Sequence, residues 1–191
     1  MALSFSLNNA ERAYLSRVAR LSIESVLAGK AACAPEPPAG EDATATGRGA
    51  LRRALGAFVT LSLGGDLRGC MGVIAGREPL FLNVWRMARA AAFEDPRFPP
   101  LHPREWPETA VRISVLDELT PCPDPQAVEV GRHGLLLRHM GRSGVFLPQV
   151  PVEQGWDRAT YLERLCAKAG LPGDSWRAPG ARLFWYEALA F

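Results

Sequence analysis

The sequence predicts an α+β protein in which a mixed or antiparallel sheet is flanked by helices. Three observations carry that reading. Apolar residues recur at helical spacing in three separate stretches, near residues 15–26, 80–91 and 161–169. Runs with strand character lie between and after them, at 56–63, 109–116, 134–147 and 182–188. Short glycine-bearing segments join neighbouring runs, as hairpins require.

Taken in order, Asn8 and Glu11 have the spacing of a capping box, and Leu15, Val18, Ala19, Ser22 and Val26 follow at helical intervals. The first helix is therefore expected over 9–28, ending near Gly29. Residues 30–50 hold Pro35, Pro37 and Pro38 with little apolar bulk, and are expected to form a long mobile connection, either a tolerated surface loop or a gate. Gly56-Ala57-Phe58-Val59-Thr60-Leu61-Ser62-Leu63 leads into the turn pair Gly64-Gly65 and a second strand. Pro79 opens a helix whose stripe is Leu80, Val84, Met87, Ala88 and Ala91. Thr109–Leu116 alternates as a half-buried strand, and the prolines at 121, 123 and 125 mark a loop. Residues 134–139 and 144–147 form a second hairpin around Gly141-Arg142-Ser143. Asp157 caps a helix carrying Tyr161, Leu162, Leu165 and Ala169, stopped by Gly170, and a strand from Arg182 closes the chain.

Composition narrows the function classes. The chain has 191 residues, 48% hydrophobic and 22% charged, ordinary for a globular protein. No apolar run approaches the ~20 residues of a membrane helix, and no basic leader with a long apolar core begins the chain, so the expectation is a cytoplasmic protein without a membrane partner. A net charge of +2 argues against nucleic acid, the basic residues being almost all arginine with Lys30 and Lys168 as the exceptions. Cys33, Cys70, Cys122 and Cys166 are scattered, without the spacing of a disulfide framework or a zinc site. No phosphate-loop or dinucleotide motif is visible, so no cofactor and no metal are expected.

The segment Leu67-Arg68-Gly69-Cys70-Met71-Gly72 is the main chemical signal. Residues two apart on a strand share a face, so Arg68 and Cys70 are expected side by side, where a guanidinium favours the thiolate. Gly69 and Gly72 permit close approach of backbone or ligand, and amides flanked by glycine can line an anion nest. The bland alternative is a small apolar cysteine packed where elements cross, with Arg68 in a salt bridge. As a nucleophile Cys70 needs a base, and His102, His133 and His139 are all distant in sequence. Glu94-Asp95 at a helix end suits acid/base work if burial separates the two groups. Otherwise Asp95 holds the turn and pairs with Arg97. One expectation is that Arg97 or Asp95 faces a pocket at Cys70. His133 and His139 are read as turn or surface residues, Cys166 as a small core residue, and Trp156, Trp176 and Trp185 as packing anchors.

The same segment resembles the Leu-Arg-Gly-Cys-Ile-Gly signature of the AMMECR family, whose prokaryotic members form the AmmeMemoRadiSam system protein A group. Ala91-Ala92-Phe93-Glu94-Asp95-Pro96-Arg97-Phe98-Pro99-Pro100-Leu101, Val115-Leu116, Val145-Phe146-Leu147-Pro148-Gln149-Val150, Leu165-Cys166-Ala167-Lys168-Ala169-Gly170-Leu171 and Trp176 are similar to family segments in the same order. Met71 stands where the family usually has isoleucine, a volume-preserving change. The resemblance covers nearly the whole chain. It implies one domain over 1–191 with a large and a small lobe, and the cysteine motif facing the groove between them. It further implies work alongside a Memo-like protein and a radical S-adenosylmethionine protein. The expected activity is a cysteine-centred enzyme acting on a small anionic metabolite or modified base. Cys70 and Asp95 are its candidate catalytic residues, with Arg68, Gly69, Gly72 and Arg97 as substrate-binding residues. The competing expectation is a non-catalytic binding or adaptor module for a partner protein.

Overall fold

A computed structural model describes residues 3–37 and 49–191 of the chain. The connection expected over 30–50 falls largely on residues 38–48, which lie outside the described residues. The helices are α1 (Asn9–Leu27), α2 (Leu80–Phe93), α3 (Gln149–Glu153) and α4 (Arg158–Lys168). The strands are β1 (Gly56–Leu63), β2 (Asp66–Val73), β3 (Thr109–Leu116), β4 (Thr120–Pro121), β5 (Gly134–His139), β6 (Arg142–Phe146), β7 (Arg182–Tyr186) and β8 (Ala188–Ala190). They form two four-stranded sheets, in the orders β2-β1-β3-β8 and β4-β7-β5-β6. The protein is α+β, and its described residues divide into two compact units. One runs to Leu116 and takes back Leu189–Phe191; the other is Asp117–Ala188.

In the first unit the capping box forms as read. The Glu11 amide donates to Asn8 Oδ1 and the Asn8 amide donates to Glu11 Oε2, each at 2.9 Å. Leu15, Val18, Ala19, Ser22 and Ile23 make the buried stripe of α1, whereas Val26, expected on it, is exposed in the last turn. The expected stripe of α2 is buried throughout and packs on β1 and β2, while α1 packs on α2. From β1, Ala57, Val59 and Leu61 are fully buried in that core. Phe58 and Thr60, on the opposite face of the sheet, are only half-buried. β3 departs from strict alternation: Ile113 through Leu116 are all buried.

In the second unit Leu135 and Leu137 of β5 pack against Tyr161, Leu162, Leu165 and Cys166 of α4, with Trp156, Trp176 and Trp185 at the margin. Asp157 caps α4 through a bond from the Thr160 amide at 2.8 Å. The β5–β6 turn is the two-residue Met140-Gly141, both with positive φ (50° and 72°), so Arg142 and Ser143 belong to β6 rather than to the expected turn. A two-residue turn of that hand matches the strand twist. Pro121, in the stretch that the prolines mark as a loop, lies in β4, an edge strand opposite Phe184, where a missing amide is tolerated. The final strand is likewise two strands: β7 pairs with β5, then the chain passes Glu187 and β8 joins the other sheet. His133, read as a turn or surface residue, is buried. Its Nδ1 accepts the Glu129 amide at 3.0 Å, its ring lies 4.4 Å from that of Trp185, and burial pushes its pKa down. No described helix is long and apolar enough to cross a membrane.

Candidate functional site

The site belongs to the first unit and begins with an irregularity in its hairpin. From the Gly64-Gly65 turn the strands pair as Leu63–Asp66 and Ser62–Leu67, and then as Leu61–Gly69 and Thr60–Cys70. Arg68 is the extra residue of a β-bulge. Without it, the register would set Arg68 opposite the buried Leu61 and Cys70 opposite the buried Val59. A one-residue slip changes the face of every side chain beyond it. The bulge therefore puts Gly69 against α2 and Cys70 beside Thr60 on the other face.

Each glycine of the motif admits a neighbour of the same unit. A Cβ on Gly69 would fall 2.1 Å from the Ala91 carbonyl oxygen of α2, and one on Gly72 would fall 2.2 Å from the Phe58 ring. The space expected for a ligand at Gly69 and Gly72 is filled by a helix backbone and an aromatic ring.

β2 is an edge strand, with ladder groups that β1 does not engage. At Cys70 both such groups are satisfied by the segment that follows α2. The Cys70 amide donates to Asp95 Oδ2 at 2.8 Å, and Arg97 Nη2 donates to the Cys70 carbonyl at 3.2 Å. With its backbone groups turned outward, Cys70 forms a non-hydrogen-bonded pair with Thr60, the kind that brings side chains closest. Accordingly, Cys70 Sγ lies 3.2 Å from Thr60 Oγ1. The thiol is partly exposed.

Asp95 is the hub. Only 4% exposed, it accepts from Arg97 Nε (2.9 Å), Arg97 Nη2 (2.6 Å) and the Arg97 amide (3.1 Å) as well as from Cys70. Arg97 holds the Asp95 carboxyl well below the usual carboxylate range, against the opposing pull of burial; the Cys70 amide adds to the lowering. The Arg97 side chain is itself half exposed. Asp95 and Arg97 both bond to the Cys70 backbone, and neither bonds to the thiol.

Arg68 behaves differently from its expected role. Its Nε and Nη2 grip both oxygens of Glu105 at 2.7 and 3.0 Å, a bidentate pair, and Nη2 also reaches the Pro100 carbonyl. Arg68 lowers Glu105 to about 2, helped by the His102 amide. Both arginines flank Phe98, with guanidinium carbons 5.9 Å (Arg68) and 5.4 Å (Arg97) from the ring centre. Glu94 is exposed at the end of α2. Thr60, Phe98 and Glu105 carry no motif that singles them out in the sequence. Thr60 follows from the hairpin only once the bulge is known, and nothing local marks Glu105 as the partner of a residue 37 positions earlier.

The arrangement can do two things. It offers a half-exposed guanidinium, fixed by a buried carboxylate, beside a partly exposed thiol that shares a hydrogen bond with a hydroxyl. It also seals the sheet edge. It does not offer the Cys70 amide for an oxyanion, because Asp95 already accepts from it. Asp95 and Glu105 are both held ionised by arginines.

Comparison with known proteins agrees with the motif and the fold. The AMMECR1 family model matches residues 16–191. Protein MK0488 of Methanopyrus kandleri is 39% identical over 190 residues, covering 95% of this chain and 87% of its own. Protein NEQ441 of Nanoarchaeum equitans is 35% identical, covering 93% of this chain and 97% of its own. The crystal structure of uncharacterized protein PH0010 from Pyrococcus horikoshii superposes with a TM-score of 0.79 at 37% identity, over 93% of this chain and 88% of that one. By the extent of these matches, this chain belongs to the AMMECR1 family.

Proposed function

We propose that the face carrying Cys70 binds a small anionic metabolite, or a modified base bearing an anionic group, and that the Cys70 thiol is its reacting group. One observation carries this reading. A buried carboxylate is committed to orienting an arginine that remains half exposed beside a partly exposed thiol. Burying Asp95 is costly unless it is paired, and the pairing leaves a fixed cation at the surface. In the proposed chemistry Arg97 anchors the anionic group and Sγ adds to an electrophilic carbon of a double bond, whose π electron pair moves to the neighbouring atom and takes up a proton from water. The thiol proton leaves to water, with Thr60 passing it outward. Asp95 positions Arg97 and does not itself exchange a proton. A cytoplasmic setting, and work alongside a Memo-like protein and a radical S-adenosylmethionine protein, complete the proposal; the family resemblance supports those partners.

A second reading, a non-catalytic binding or adaptor module, is favoured by a different observation. Asp95 and Arg97 satisfy the edge of β2 at Cys70, a sufficient structural reason for both residues.

Site-resolved alkylation of the intact chain separates the two. Iodoacetate carries the charge that Arg97 would attract, and iodoacetamide does not. The Arg97 cation, opposed by the Asp95 charge behind it, contributes at most about 1 kcal/mol at contact distance in water, or up to roughly fivefold in rate. The enzyme reading expects Cys70 to prefer iodoacetate by up to that factor relative to exposed Cys33, and Arg97→Gln to remove the preference. Labelling of Cys70 slower than Cys33 with both reagents, and no effect of Arg97→Gln, overturns it and leaves the module.

A further inference from the structure

The second unit carries a cluster that the Cys70 site does not use. A cavity of about 310 Å³ opens at the β5–β6 hairpin and the start of β7, lined among others by Arg138, Arg142, Ser143 and Arg182. Ser143, Arg138 and Arg182 are register partners across β6, β5 and β7, so they form one row on one face of the sheet. Side chains so paired start about 5 Å apart, and like charges directly opposite destabilise a sheet. Several other arginines of this protein hold a carboxylate, as Arg68 holds Glu105, Arg97 holds Asp95 and Arg86 holds Glu78. Among the described residues neither Arg138 nor Arg182 pairs with one, and no Asp or Glu lines the cavity.

The row is also partly preorganised. The Arg138 guanidinium lies over the Phe184 ring, 5.5 Å from its centre; Arg142, paired with His139 on the other face, donates to the Gly170 carbonyl and is not a member of the row. Two guanidinium forks and a hydroxyl on one row match the tetrahedral oxygens of a phosphoryl group, which accepts bidentate bonds from arginine. An anion between Arg138 and Arg182 would convert their repulsion into attraction to a shared centre. The volume is at the small end of metabolite pockets, larger than a bare phosphate needs.

We propose that this cleft is a binding site for the phosphate or diphosphate group of a small metabolite, with Arg138 and Arg182 as its two forks and Ser143 as a hydroxyl donor. It is independent of the Cys70 reading, because no residue is shared.

The test is calorimetric titration of the full chain with inorganic phosphate, pyrophosphate and a nucleoside diphosphate, compared with Arg138→Gln and Arg182→Gln. Saturable binding of pyrophosphate is expected, weakened about tenfold or more in each variant. In phosphate-free buffer each variant should melt close to the parent, since the substitution removes a like-charge pair and, at Arg138, one guanidinium–ring contact of opposing sign. That control separates lost binding from lost folding. Tighter binding of the nucleoside diphosphate than of pyrophosphate identifies a metabolite as the source of the group, and equal binding identifies free diphosphate. Absence of saturable binding up to roughly 10 mM, or affinity unchanged in both variants, overturns the proposal. Binding seen only with a single-stranded RNA, with a steep salt dependence, overturns it in favour of a nucleic-acid surface.

Discussion

Replacing Asp95 by alanine tests the hub of the candidate site. The carboxylate is 4% exposed and accepts four hydrogen bonds, one from the Cys70 amide and three from Arg97. Removing it strands the Cys70 amide at the sheet edge, at a cost of about 1–3 kcal/mol. Arg97 is half exposed, so water compensates for most of its loss, leaving at most about 1 kcal/mol there. The expected destabilisation is about 1–4 kcal/mol, or roughly 2–16 °C in melting temperature for a chain of this size. Urea unfolding at neutral pH reads the energy, and hydrogen exchange at the Cys70 amide reads the local origin. The pH dependence supplies a further check. The folded Asp95 carboxyl lies below its unfolded value, so its contribution is complete above an unfolded pKa of about 3.9 and is lost as pH falls towards the folded one. The gap between parent and Asp95→Ala must therefore narrow below about pH 4. A loss under about 1 kcal/mol, unaltered exchange at the Cys70 amide, or a gap constant down to acid pH refutes the reasoning.

Two other predictions concern packing and protonation. Gly69→Ala places a methyl 2.1 Å from the Ala91 carbonyl oxygen, a backbone atom that cannot swing aside, and should destabilise by about 1–3 kcal/mol or more; a variant as stable as the parent in urea would mean that α2 does not rest on β2 there. Burial lowers the folded pKa of His133, so the unfolded chain takes up a proton first, and stability should fall as pH drops through an unfolded value of about 6.5. His133→Gln should flatten thermal stability between about pH 7.5 and 5.5, and an unchanged slope would assign that dependence to another group.

The sequence alone was enough for what depends on near neighbours. The Asn8–Glu11 capping box, the Gly64-Gly65 turn, the stripe of α2 and the Asp157 cap all arise from residues within a few positions of each other, where backbone geometry leaves few choices. The Arg68-Gly69-Cys70 motif and the pairing of Asp95 with Arg97 were legible for the same reason. What surrounds the cysteine was not. A plain two-residue hairpin would have set Cys70 opposite Val59 in the core. The bulge at Arg68 turns it to Thr60 instead, because a charged side chain cannot lie against Leu61 while Gly69 fits beneath the Ala91 carbonyl. The partner of Arg68 lies 37 residues away, and the row of Ser143, Arg138 and Arg182 draws on three strands. Local propensity determined the elements; strand register and long-range charge pairing, set only when the sheets closed, decided which side chains meet.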